Sequence, residues 1–146
     1  MSKLILVPVD GSTHARQAIE FAVDWAQGRD AQLHLIHVPE MPSASDLAFA
    51  ERYSVDLSKT RTHLETLGQD IIAKSKEIAK SLGGEVTEGY VAIGNPAKQI
   101  VQRAEELKAD MIVMGTRGNS DWKNLLLGSV SHKVMQMAPC TTVIVR

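Results

Sequence analysis

The stretch LILVPVDGS, residues 4–12, decides the fold of this chain. Its first part, Leu4–Val9, is a continuous apolar run, which is typical of a strand buried on both faces of a parallel sheet. Asp10 and Gly11 interrupt the run, and the serine and threonine that follow can each cap a helix. Apolar residues then recur at helical spacing up to Ala26, so a buried strand leads directly into a helix.

The same alternation continues along the rest of the chain. Four further strands are predicted at Ala31–Val38, Val86–Val91, Met111–Met114 and Thr142–Val145. Three further helices are predicted at Leu64–Leu82, Pro96–Ala104 and Ser129–Met137. Five strands alternating with four helices predict one α/β domain over residues 1–146, with an open five-stranded parallel sheet and helices on both faces, a Rossmann-like arrangement. The long stretch Pro39–Asp56 is predicted as a loop of unassigned role, with a helical segment near Asp46–Tyr53.

The chain is nearly neutral and carries a single cysteine. Sixteen Lys and Arg against seventeen Asp and Glu leave a formal net charge of -1. Proteins that grip a nucleic acid backbone carry a basic surplus, so neither nucleic acid nor an anionic membrane surface is expected as a partner. With only Cys140, no intramolecular disulfide or paired-cysteine metal motif can form. The apolar runs are too short for membrane insertion, and a cytoplasmic location is expected.

The glycines after the fourth predicted strand mark the candidate site. In an open parallel sheet, ligands bind beyond the carboxyl ends of the strands, where the strand order reverses. Gly115 and Gly118 follow the strand, and Gly128 and Ser129 stand where the last helix begins. Glycine lets a ligand approach the backbone, and a helix start favours an anion. The pattern itself leaves open a phosphate site or an ordinary turn with a helix cap, and it is neither a Walker motif nor the dinucleotide fingerprint.

The glycine segment reads Gly, two residues, Gly, nine residues, Gly and Ser, at Gly115, Gly118, Gly128 and Ser129. Together with the opening strand and the final Pro139–Val145, it resembles the universal stress proteins of the nucleotide-binding kind. The resemblance covers essentially the whole chain, and the family members that keep this glycine pattern bind ATP. It implies an adenine nucleotide as ligand and the strand order 3-2-1-4-5.

The resemblance also implies a complete nucleotide site. Asp10 would hydrogen-bond the ribose or the adenine, and the backbone of Val38 would meet the adenine. The other implied contacts line the pocket, border the ribose and phosphates, or hold the phosphates at the helix start: Pro8, Val9, Met114, Gly115, Arg117, Gly118, Gly128, Ser129, Val130 and Ser131. The implied cofactor is ATP, with Mg²⁺ accompanying the phosphates rather than occupying its own protein cage.

The function implied by the resemblance is that of an ATP-binding regulatory protein of the stress response. It would sense nucleotide and act through dimerisation and an unidentified regulatory partner. The homodimer would form through Thr142–Val145, which is an exposed apolar edge in the order 3-2-1-4-5. Two other classes stay open: a slow ATP hydrolase or phosphotransferase, and an interaction module, for example for a transporter or signalling protein, in which nucleotide is incidental.

Several polar residues have simpler interpretations. Asp10 can cap the first helix, and as a phosphoacceptor it would need partners that the third and fifth strands do not supply. His34 and His37 stand three positions apart in a strand and point to opposite faces, which favours structural histidines over a metal pair. His14 is predicted as a solvated helix residue, and Cys140 as buried and inert.

Overall fold

The computed structural model describes residues 2–40, 44–54, 57–116 and 128–146, and within them the chain forms five strands and five helices. The strands are β1 (Lys3–Pro8), β2 (Ala31–His37), β3 (Val86–Val91), β4 (Met111–Gly115) and β5 (Thr141–Val145). The helices are α1 (Thr13–Ala26), α2 (Ala44–Arg52), α3 (Leu57–Ser81), α4 (Pro96–Leu107) and α5 (Ser129–Met137). The strand bounds agree with the sequence predictions within one residue at each end.

The strands form one parallel sheet in the order β3-β2-β1-β4-β5. This confirms the predicted open sheet and its strand order. β1 lies at the centre, paired with β2 along all six of its residues and with β4 at Ile5 and Leu6. From β1 the chain continues to β2 and β3 on one side, and after β3 it crosses over to form β4 and β5 on the other side, so the strand order reverses between β1 and β4.

The side chains of β1 alternate between two cores on the two faces of the sheet. Ile5 and Val7 pack with α1 and α3 in what we call the first core, and Leu6 packs with α4 and α5 in the second core. All three are at most 1% exposed. Fully burying one such side chain contributes roughly 1.5–3 kcal/mol. The central strand therefore anchors a layer of helices on each face, as predicted.

Two helices begin with a side-chain cap. At the start of α1, the Ser12 hydroxyl oxygen accepts a hydrogen bond from the Ala15 amide at 3.1 Å. At the start of α4, Asn95 Oδ1 accepts one from the Lys98 amide, also at 3.1 Å. Each cap satisfies an amide that has no acceptor within its own helix.

The predicted loop Pro39–Asp56 contains a helix. α2 coincides with the helical segment predicted near Asp46–Tyr53, and α3 begins at Leu57, well before the predicted start at Leu64. The described residues therefore hold five helices where four were predicted.

The early turns of α3 escaped prediction because they extend beyond the sheet. Gly68 lies against His37 and Val91, the last residues of β2 and β3. The turns that precede Gly68 therefore project past the carboxyl ends of these strands, and most of their described side chains are exposed. A helix that covers no core shows no strong apolar period in its sequence. In the described part of the chain, no helix combines the length and apolar character needed to cross a membrane.

Leu6→Ala is expected to lower the free energy of unfolding by about 2–5 kcal/mol, because it leaves a cavity in the second core. Leu67→Ala is the matched control. Leu67 is 48% exposed on α3, so the same substitution is expected to cost less than about 1 kcal/mol. Urea denaturation followed by circular dichroism measures both values. Equal losses for the two variants would contradict the central position of β1.

Candidate functional site

The candidate site lies at the carboxyl edge of the sheet, between the ends of β1 and β4. The strand order reverses there, which is where open α/β sheets bind ligands. β1 ends at Pro8 and leads into Val9 and Asp10, β4 ends with Met114 and Gly115, and α5 begins beside them. The fold thus brings together the residues predicted from the first strand, the fourth strand and the last helix. Arg117 and Gly118, also predicted for the site, lie outside the described residues.

Val9, the first residue after β1, is held by β2 through both of its backbone groups. Its amide donates to the Ile36 carbonyl at 2.8 Å, and His37 Nδ1 donates to its carbonyl at 2.7 Å. His37 is buried, so its ring holds the backbone at the point where the chain enters the site. The sequence predicted a structural histidine but not this position beneath the site. The position of His37 at the end of the second strand was the feature of the sequence that could have indicated this role.

The turn after β1 sets the position of the Asp10 carboxylate. Asp10 Oδ1 accepts a hydrogen bond from the Ser12 amide at 2.9 Å, and the aspartate is half-buried. Gly11 between them has a φ of +81°, which glycine adopts without strain. Because Ser12 is the N-cap of α1, the interpretation of Asp10 as the helix cap is wrong. Asp10 instead stabilises the turn and stands at the edge of the site.

Gly115 lacks a side chain because α1 packs directly against it. An added Cβ would lie 2.7 Å from the carbonyl oxygen of His14 and 2.8 Å from its carbonyl carbon. The sequence interpretation assigned this space to a ligand, whereas the structure fills it with the backbone of α1. His14 is consequently half-buried, and its Nδ1 is buried with no hydrogen-bond partner among the described residues. The prediction of a solvated His14 is wrong.

The start of α5 lies at the same edge, and within the described ranges no acceptor is found for the backbone amides of its first turn. Its N-cap is Gly128, which has no side chain that could accept from the first-turn amides, and the Gly128 amide donates to the Thr116 carbonyl. The amides of the first helical turn have no acceptor within the helix. Ser129, the first helical residue, is exposed and Val130 is half-buried. The helix start therefore has the donors that an anion requires.

The Ser131 hydroxyl is engaged by the protein itself. Ser131 is 2% exposed, and its Oγ donates to the carbonyls of Gly115 and Thr116, at 3.0 Å in each case. If Ser131 contacts a phosphate as predicted, its backbone amide would make the contact, because its hydroxyl is already used. Thr116 is buried and was not among the predicted site residues. The position of Thr116 within the glycine pattern was the feature of the sequence that could have indicated it.

Two of the predicted pocket residues bury their side chains in the cores. Val9 packs in the first core and Met114 in the second. Val38, just beyond β2, is half-buried against the second core. Any contact of Val9 and Met114 with a ligand would therefore be made by the backbone.

His34 lies on the opposite face of β2 from His37, in agreement with the sequence prediction. Its Nδ1 is hydrogen-bonded to the Tyr90 hydroxyl at 2.9 Å, and the Arg103 guanidinium lies over the Tyr90 ring at 4.3 Å from its centroid. Burial lowers the pKa of His34 below its ordinary value, so the ring is neutral near pH 7. In the ranges that the structure describes, no group of three or more His, Cys, Asp or Glu is placed to hold a metal ion.

Cys140 was predicted to be buried; it precedes β5 and is half-buried. It packs against the second core, and burial raises the pKa of its thiol above the ordinary value. The thiol therefore stays protonated near neutral pH, as expected of an unreactive cysteine.

The model of the universal stress protein family matches the chain over residues 1–146. Universal stress protein YxiE of Bacillus subtilis (strain 168) is 34% identical over 151 residues, which cover 100% of both chains. The solved structure of hypothetical protein MJ0577 has a TM-score of 0.80 at 25% identity, covering 99% of this chain and 96% of that one. The crystal structure of a universal stress protein in complex with cAMP has a TM-score of 0.67 at 25% identity, covering 99% and 97%. The chain therefore belongs to the universal stress protein family.

Gly115→Ala is expected to lower the free energy of unfolding of the nucleotide-free protein by about 1–3 kcal/mol, because the new methyl group meets backbone atoms of α1. Adding His14→Ala is expected to leave this loss in place, since the obstructing carbonyl remains. Urea denaturation measures the single and double variants. A Gly115→Ala protein as stable as the wild type would show that this glycine serves a ligand alone.

Proposed function

We propose that this chain is a single-domain ATP-binding regulatory protein that acts in the cytoplasm through dimerisation and a protein partner. The observation that carries the proposal is the start of α5, which has a glycine as its N-cap and is held against the end of β4 where the strand order reverses. A family member at 25% identity is known in complex with cAMP, an adenine nucleotide. This supports the same class of ligand here.

The first turn of α5 would hold the phosphates. In α1 and α4, the side-chain oxygens of Ser12 and Asn95 accept hydrogen bonds from first-turn amides. The N-cap of α5 is Gly128, which has no side chain to do so. Phosphate oxygens would supply the missing acceptors, and the helix dipole adds to the attraction. The exposed Ser129 hydroxyl would donate a further hydrogen bond, beside the amides of Val130 and Ser131. Backbone donors of this kind explain how a chain of net charge -1 would bind a polyphosphate.

The turn after β1 would bind the other end of the nucleotide. The Asp10 carboxylate, oriented by the Ser12 amide, would accept a hydrogen bond from a ribose hydroxyl or the adenine amine. The backbone of Val38 would meet the adenine. The remaining predicted contacts would border the ribose and phosphates: Pro8, Val9, Met114, Gly115, Arg117, Gly118 and Gly128.

Nucleotide occupancy, rather than turnover, would carry the regulatory signal. A ligand shifts a protein toward the conformation that it binds best, so occupancy can be sensed by a partner without a chemical step. Mg²⁺ would arrive bound to the ATP phosphates. The proposal assigns no catalytic residue.

ATP and ADP are expected to bind the purified protein more tightly than adenosine, because only their phosphates reach α5. Ser129→Ala is expected to weaken ATP binding about two- to tenfold through the loss of one hydrogen bond, with adenosine binding unchanged. Ser81→Ala, an exposed serine at the end of α3, is the matched control and should bind as the wild type does. Isothermal titration calorimetry measures each affinity. Absence of binding by both ATP and ADP at millimolar concentration would contradict the proposal.

The two edges of the sheet differ in a way that supports a homodimer through β5. β3 has a register shift opposite Leu33 and His34, and it exposes Thr87 and Glu88. Bulges and charges of this kind protect an edge strand from pairing. β5 instead pairs with β4 in unbroken register over all five of its residues and ends in the apolar segment Val143–Val145. A second copy pairing along β5 would cover this open edge.

Val143→Lys is expected to shift the protein from dimer to monomer, because it places a charge in the apolar edge that the second copy would cover. Thr87→Lys on β3 is the matched control and should leave the dimer intact. Light scattering coupled to gel filtration measures the mass, and circular dichroism checks that both variants are folded. A folded Val143→Lys protein with the mass of a dimer would rule out this interface.

A further inference from the structure

The Ser131 hydroxyl joins two segments that lie fifteen positions apart in the chain. Its Oγ donates to the carbonyls of Gly115 and Thr116, both at 3.0 Å. Ser131 lies in the first turn of α5, and the two carbonyls stand where β4 ends. The hydroxyl therefore ties the start of the helix to the end of the strand.

The backbone of Thr116 also forms hydrogen bonds with two other segments. Its carbonyl also accepts the Gly128 amide, and its own amide donates to the Val145 carbonyl at 3.1 Å. Thr116 is 5% exposed, so its backbone groups depend on protein partners rather than on water. The end of β4, the end of β5 and the start of α5 are thus held together at one residue.

The Ser131 hydroxyl has one proton, and two carbonyls already share it. A phosphate oxygen can only accept a hydrogen bond, so it would have to take this proton away from the buried carbonyls. The side chain is also 2% exposed, whereas Ser129, two residues earlier on the same helix, is exposed. The two serines of this helix start therefore differ in their surroundings: Ser129 is open to solvent, and Ser131 is buried against the end of β4.

We propose that Ser131 is a positioning residue of the nucleotide site, which holds the first turn of α5 against β4 so that the amides of this turn meet the phosphates. The inference rests on the proposed function, since it assigns the role of one residue within that site. Without the hydroxyl, the helix start loses one of the hydrogen bonds that orient it. The amides would then meet the phosphates in a less favourable arrangement, while the adenosine end of the site would be unaffected.

Ser131→Ala and Ser129→Ala form the matched pair that tests this role. ATP and adenosine affinities are measured by calorimetry, well below the unfolding temperature of each variant. Exchange of the Gly128 amide hydrogen with solvent is followed by NMR in the nucleotide-free protein. Ser131→Ala is expected to weaken ATP binding and to accelerate Gly128 exchange, each by about fivefold, with adenosine affinity unchanged. Ser129→Ala is expected to weaken ATP binding without changing this exchange.

Ser131→Thr keeps the hydroxyl and is expected to restore the wild-type preference for ATP over adenosine. Weaker ATP binding by Ser131→Ala with unchanged Gly128 exchange would overturn the inference, because the hydroxyl would then contact phosphate directly. Faster exchange with unchanged ATP binding would also overturn it, because the role would be structural only. Failure of the wild-type protein to bind ATP or ADP is a separate result, and it would overturn the proposed function itself.

Discussion

Ile5 and Val7 face one core and Leu6 faces the other, so β1 has to lie in the middle of the sheet with helices on both sides. The helices bury its two faces, and β2 and β4 pair with its backbone on either side. The chain therefore forms β2 and β3 on one side of β1 and then crosses over to form β4 and β5 on the other side. That reversal opens the carboxyl edge between β1 and β4, and the turn after β1 and the start of α5 meet there. The location of the candidate site is thus a consequence of how the central strand is buried.

Packing and the candidate chemistry use the same residues at this edge. Gly115 belongs to the glycine pattern, yet its missing side chain makes room for the backbone of α1. Ser131 follows the pattern's last serine, yet its hydroxyl serves the carbonyls at the end of β4. His37 holds the carbonyl of Val9 from the neighbouring strand. Residues in or beside the glycine pattern therefore also serve the packing of this edge, whatever ligand binds there.

Elements that cover a core could be predicted from the sequence, and elements that do not were partly missed. All five strands were predicted within one residue, because a buried strand is a short apolar run bounded by turn residues. α2 was predicted only as a helical segment within a loop, and the first turns of α3 were not predicted, because their exposed residues show no apolar period. The candidate site could be located by its glycines and by the residues that follow the strands. The burial and hydrogen bonding of His14 and Thr116 could not be predicted, because they depend on contacts between distant segments.

The sequence by itself determined the alternation of strands and helices, the family and the edge at which a ligand would lie, because these follow from local apolar patterns and from a motif of fixed spacing. Only the tertiary structure decided which donors and acceptors at that edge are free. A hydroxyl or a glycine has the same local signature whether it faces a ligand or a neighbouring backbone. The choice is made when α1 packs against Gly115 and α5 against Thr116. Those contacts join residues that are far apart in the chain, and no local pattern records them.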